Sequence, residues 1–171
     1  MSTIPSNLNP LSPNGFQFSI QKLPELTYFA QQVSLPSITL PNISVNTPFS
    51  TMQMSGDLLT FESLSIDFLV DESMANYLGI SDWMISMGFP ESYEQYISYQ
   101  NKDNTSFSKL SKNHSDATLQ ILGSNNKPIK TITFVDLVPI SLGNMSFVST
   151  STDVNYITCN AIFDYTYFKF I

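Results

Sequence analysis

Residues Leu58 to Pro90 read LLTFESLSIDFLVDESMANYLGISDWMISMGFP, and this stretch decides the fold. From Leu64 the apolar residues alternate: Leu64, Ile66, Phe68 and Val70 share one side. Ser63, Ser65, Asp67 and Asp71 share the other, with Leu69 the single exception. A period of two marks a strand with one dry and one wet face. The period then lengthens. Tyr77, Ile80, Met84 and Met87 fall at helical spacing, behind acidic Asp71 and Glu72 and a candidate Ser73 cap. This predicts one principal helix over about Ser73 to Met87, ended by a left-handed Gly88 and closed off by Pro90.

Working outward, Phe16 to Gln21 alternates as a strand, and a second is expected over Tyr28 to Ser34. Pro36, Pro41 and Pro48 limit Ser37 to Thr47 to edge strand or extended loop. Phe49 to Asp57 reads as a loop that exposes Phe49, Met52 and Met54 before the Ser55-Gly56-Asp57 turn. Glu91 to Gln100, with Tyr93, Tyr96 and Tyr99 at a spacing of three, suits a short second helix. Asn101 to Ser115 is polar and reads as a surface loop. Ala117, Leu119 and Ile121 begin a strand that turns at Ser124 to Lys127 and returns over Ile129 to Val135. Leu137 to Gly143 reads as a bend. Asn155 to Ile171 reads as one long last strand, with Ile157, Cys159, Ala161, Phe163, Tyr165 and Tyr167 on one face and Asn160, Asp164 and Thr166 on the other.

The expected fold is mainly β with one principal helix, a β-sandwich or barrel wall. Leu64, Ile66, Phe68, Val70, Ile157, Ala161 and Phe163 are the expected core. Residues 1–15, with three Pro, three Asn and three Ser, are expected to form a loose arm. Residues 16–171 are expected to form a single domain, which 171 residues can fill with a real core. No internal repeat or linker is visible.

Composition removes several function classes. The net charge is −7, from seven Lys, no Arg and fourteen acids, which argues against tight nucleic-acid binding. One cysteine, Cys159, leaves no internal disulfide or cysteine-based zinc site, and its strand setting reads as a core thiol. The start has neither a basic region nor an apolar core of the signal-peptide kind, so residence in a cytoplasm is expected, at least initially. His114, the single histidine, sits in a polar loop and reads as a solvated residue. Asp71-Glu72 reads as helix-terminus charge, and Trp83 as a helix–sheet anchor. No phosphate-cradling glycine loop, nucleophile elbow, metal set or catalytic constellation can be assembled, so the chain is expected to be no enzyme and to need no cofactor.

The order of these elements resembles a known family. It runs through Phe16-Gln17-Phe18-Ser19-Ile20, Pro36-x-Ile38, Gly56-Asp57, Leu64-Ser65-Ile66-Asp67-Phe68, Asp71-Glu72, Asn76-Tyr77, Asp82-Trp83, Pro139-Ile140-Ser141 and Phe163-x-Tyr165. Over Phe16 to Phe168 it resembles the tail tube proteins of contractile-tailed, T4-like bacteriophages and the related tube-initiating baseplate proteins. The resemblance implies a tail-tube β fold and a structural virion protein, assembled in the host cytoplasm into the tail. Its hexameric rings would stack into a tube inside the sheath, between baseplate and tail terminator proteins, with DNA passing through the lumen unbound. It maps the family's stacking loop to Val45–Leu58, with Phe49, Met52 and Met54 as inter-ring contacts. Ser63, Ser65, Asp67, Asn160, Asp164 and Thr166 are the expected lumen face, acidic enough to repel phosphate. Two alternatives stand beside it: a baseplate, initiator, cap or neck-junction protein of the same fold, and a small-ligand or glycan-binding barrel.

Overall fold

The computed structural model describes residues 10–88, 90–95, 97, 113–150 and 155–171. Most of the N-terminal arm and of the expected loop 101–115 lies outside them, as do Tyr96 and Tyr99 of the tyrosine segment. Tyr93 is exposed on a helical turn.

The strands are β1 (Phe16–Ile20), β2 (Ala30–Ser34), β3 (Ile38–Thr39), β4 (Asn42–Asn46), β5 (Thr51–Ser55), β6 (Thr60–Phe61), β7 (Leu64–Leu69), β8 (Ser115–Leu122), β9 (Pro128–Leu142), β10 (Thr158–Asp164) and β11 (Tyr167–Phe170). A single turn, α1 (Leu26–Phe29), precedes β2, and the principal helix is α2 (Ala75–Gly88). The main sheet runs β1-β8-β9-β10-β7-β2, with β11 also on β9, and every pairing is antiparallel. The fold is mainly β with one principal helix, as expected.

The segment read as a bend over Leu137 to Gly143 is instead the second half of β9. Its first half pairs with β8 and β11, its second with β10, so one strand serves both halves of the sheet. The irregularity the sequence shows there is a bulge. Asp136 sits at φ 58°, and its N–H donates to the Asp116 carboxylate at 3.2 Å.

The last strand is likewise two strands. The break at Tyr165-Thr166, where Thr166 N–H donates to Val135 O at 3.0 Å, shifts the alternation by one residue. Phe168 is therefore buried and Tyr167 exposed, the reverse of the expected face.

The core holds Leu64, Ile66, Phe68, Ala161 and Phe163, all with no exposed surface, together with Phe18, Ile20, Ile132 and Phe134. Val70 only borders it, and Ile157 is half-buried. Cys159 is a core thiol as expected, its pKa raised chiefly by burial, which keeps it protonated and unreactive.

Helix α2 starts two residues later than expected. Ser73 is not its cap; the Ser73 hydroxyl donates to Asp71, and Met74 takes φ 56° before the first turn. The junction is held by Asn76, a buried side chain whose amide donates to Leu69 O at 2.7 Å. Its Oδ1 accepts from the N–H of Asp71 and of Tyr77. Gly88 ends the helix without a positive φ, so the left-handed stop does not occur. The buried stripe is Asn76, Ile80, Trp83 and Ser86; Tyr77, Met84 and Met87 flank it. Trp83 anchors helix to sheet. Its indole N–H donates to Asn113 O at 2.9 Å, its ring lies 6.4 Å from Phe163, and the Lys22 ammonium stands 5.1 Å above it.

Candidate functional site

Two surfaces carry the residues singled out from the sequence. The first is the outward face of β7 and β10. The register sets Asn160 opposite Asp67 and Ile162 opposite Ser65, while Cys159, Ala161 and Phe163 point inward. Asn160 Nδ2 donates to Asp67 Oδ1 at 2.6 Å and to Ser65 Oγ at 2.9 Å, and Ser63 Oγ donates to Asp164 Oδ1 at 2.6 Å. Five of the six expected lumen residues thus share one face, as two bonded sets with Ile162 between Asn160 and Asp164. Gly143 lets β9 run tightly beside it: a Cβ there would stand 2.9 Å from Asn160 O.

Thr166 does not join them. The chain break turns it toward the bulge, where its hydroxyl donates to Asp136 Oδ2 at 3.4 Å; His114 Nδ1 lies 4.0 Å from the same carboxylate. Among the described residues no three His, Cys, Asp or Glu side chains gather where they could hold a metal ion.

The second surface is an arm. The expected loop Phe49–Asp57 is largely the strand β5, and the proline-punctuated segment before it contains β4. The two pair as a hairpin: Asn42 with Ser55, Ile43 with Met54, Ser44 with Gln53, Val45 with Met52, Asn46 with Thr51. Thr47 to Ser50 forms the tip, with Thr47 N–H donating to Ser50 O at 2.9 Å and Phe49 99% exposed.

Cross-strand partners share a face, so the hairpin is two-sided. Ile43, Val45, Met52 and Met54 make one wholly apolar side, each 42–59% exposed. The other side is wholly polar and uncharged, tied by Asn42 to Gln53 and Thr51 to Asn46 side-chain bonds. Every residue of both strands is exposed, and neither makes a substantial contact with any other named element.

Sequence reading located Phe49, Met52 and Met54 but missed Ile43 and Val45. The signal was present as the alternation of NISVN against TMQMS, but the prolines around it left edge strand and extended loop both open; the structure makes it an edge strand.

The arm is rooted in the body through β3 and β6. Phe61 meets Phe168 edge to face with ring centroids 5.4 Å apart, and Tyr165 Oη donates to Glu62 O at 2.8 Å. The Tyr165 pKa is pushed up to about 12, first by burial and then by the charges of Asp164 and Glu62.

No family model matches the chain. It is 27% identical over 147 residues to the tail tube terminator protein of Enterobacteria phage T4, spanning 84% of this chain and 77% of that one. Among solved structures it is similar to the anti-feeding prophage baseplate (TM-score 0.64, 13% identity, 100% of this chain and 97% of that chain). It is similar to the tube-terminating cap of the same particle (0.64, 10% identity, 99% and 95%). The sheath/tube terminator of the PVC extracellular contractile injection system is a third (0.57, 16% identity, 95% and 97%). The chain therefore has the fold of tube-ending and baseplate components of contractile injection systems, and its sequence is similar to that of a phage tail tube terminator.

Proposed function

We propose that this chain is a structural tail protein whose ring closes the end of a contractile tail tube, docking on the tube through its arm. The arm carries the reading. An isolated two-stranded hairpin is marginally stable in water, and this one exposes a continuous apolar side without a single charge. Such a surface is built to be covered by another subunit. Similarity to a tail tube terminator and to a tube-terminating cap supports the end of the tube over the repeating tube subunit, the leading expectation from sequence. The repeating subunit is the second reading, and the likeness to a PVC sheath–tube complex supports it (TM-score 0.51, 16% identity). Electron microscopy of the purified protein separates the two. Discrete single rings, and one ring of copies per particle, are expected; long tubes, or tens of rings per particle, would establish the repeating subunit instead.

In this ring the Ser65–Asp67–Asn160 and Ser63–Asp164 face lines the lumen. Its carboxylates deny a passing duplex counterion-releasing contacts. Asp67→Lys with Asp164→Lys should leave ring assembly intact, because both side chains belong to a water-facing surface. DNA release from particles carrying the pair should slow, most at low salt where screening is weakest. Normal release at every salt concentration would place the channel on another face.

A further inference from the structure

The arm leaves the body in two segments whose ladders do not run straight into each other. The root ladder ends at Thr39 opposite Thr60, and the outer ladder begins at Asn42 opposite Ser55. Between them one strand spends Leu40 and Pro41, while the other spends Gly56, Asp57, Leu58 and Leu59. Unequal strand lengths bend and twist a ribbon at the mismatch, so this is an elbow.

One backbone bond closes it: Gly56 N–H donates to Pro41 O at 2.7 Å. Pro41 has no N–H to return a second bond. The approach is close enough that a Cβ on residue 56 would stand 2.6 Å from the Pro41 carbonyl oxygen and 3.3 Å from its ring. The obstacle is backbone and a rigid ring, so no flexible side chain can give way. Gly56 does not have a positive φ, so glycine is required here by contact distance and not by conformation. On the body side the root is fixed by Phe61 in its aromatic cluster and by Glu62 N–H donating to Ser37 O at 3.1 Å.

We infer, on the reading that the arm is the docking element, that Gly56 is a positioning residue: its contact with Pro41 fixes the direction in which the body presents the apolar side of the arm. The arm residues that touch the partner are untouched by changing it. Gly56→Ala should break the Pro41 contact and swing the hairpin while leaving the sheet and α2 alone.

The test combines geometry with assembly. Spin labels at Ser44→Cys on the arm and Lys169→Cys on β11, in the full chain, should give a narrow distance distribution. Gly56→Ala should shift or broaden it with little change in melting temperature. Particles assembled with Gly56→Ala should incorporate at least 10-fold less of the chain, as should particles carrying a deletion of residues 50–55. If the deletion abolishes incorporation and Gly56→Ala does not, the elbow does not direct the arm, and the inference falls while the docking reading stands. If the deletion variant is incorporated normally, the docking reading itself falls and takes the inference with it. A broad distance distribution in the otherwise unaltered chain would overturn the fixed elbow without recourse to any Gly56 variant.

Discussion

Strand β7 and the β4–β5 hairpin are written in the same alternating code and meet opposite fates. Leu64, Ile66 and Phe68 on β7 have no exposed surface; Ile43, Val45, Met52 and Met54 on the arm are half open to water. Both obey a period of two. What separates them is neighbours: β7 lies between β2 and β10, against the core shared with β9 and α2, while among the described residues β4 and β5 pair only with each other. Alternation states that a face wants covering, and only topology states who covers it. On the body the covering is intramolecular and contributes to folding. On the arm, in the function proposed above, it is deferred to assembly.

The largest test of that contrast is Phe68→Ala, which empties a fully buried site and should cost about 3–5 kcal/mol in denaturant melts of the monomer. A loss under about 1 kcal/mol would mean that the body core does not depend on this face, and the contrast with the arm would collapse. A smaller loss is expected at Asn76, the polar group that locks β7 to α2. Asn76→Ala leaves the partly buried Leu69 carbonyl and Asp71 N–H without this partner and should cost about 1–3 kcal/mol. Asn76→Asp replaces an amide donor with an acceptor facing that carbonyl and should not rescue it.

Most of the body was legible in the sequence because its signals are local. The alternation of Leu64 to Phe68 reports directly on a buried face, while the spacing of Tyr77, Ile80, Met84 and Met87 located the helix but, Ile80 apart, named residues that flank its buried stripe. The errors fall where geometry depends on distant partners. Nothing near Asp136 reveals that β9 changes partners there, and nothing near Tyr165 reveals that the chain breaks and reverses its faces. The N-terminus of α2 was misread for a related reason: Ser73 has the chemistry of a cap, but the bonds are made by Asn76 to the end of β7. Of the candidate site, the polar face of β7 and β10 was legible from two strands read separately. The arm was only half legible, since Pro36, Pro41 and Pro48 left edge strand and loop both open for β4, and β5 read as a loop.

The root of the arm offers a pH handle on the same comparison. Tyr165 donates to Glu62 O, and its pKa is raised from 10.0 to about 12. Because the folded-state value lies above the unfolded one, the associated stability is fully present below pH 10 and is lost as pH rises toward about 12. Melting temperature should therefore fall across that window, and Tyr165→Phe should flatten the fall. An equally steep fall in Tyr165→Phe would assign the alkaline sensitivity to other groups.

The smallest expected effect on stability is the one that ties the arm to function. Val45→Asp with Met52→Asp places two charges on the apolar side of the hairpin, opposite each other in register. Both side chains already face water in the isolated chain, so unfolding free energy should change by no more than about 0.5 kcal/mol per site. Like charges directly opposite across a ladder destabilise a ribbon, but this ribbon supports no part of the core. In the assembled particle the same two carboxylates would be carried into an apolar contact without partners, which costs far more than the hairpin can lose by itself. Incorporation into particles should therefore collapse while the melting temperature of the free protein hardly moves. Phe68→Ala should do the opposite to the monomer, lowering its stability with the arm chemically intact. A large loss of monomer stability from the arm pair would mean that the arm folds back on its own body in solution. Normal incorporation of the arm pair would mean that its apolar side is not what the partner covers.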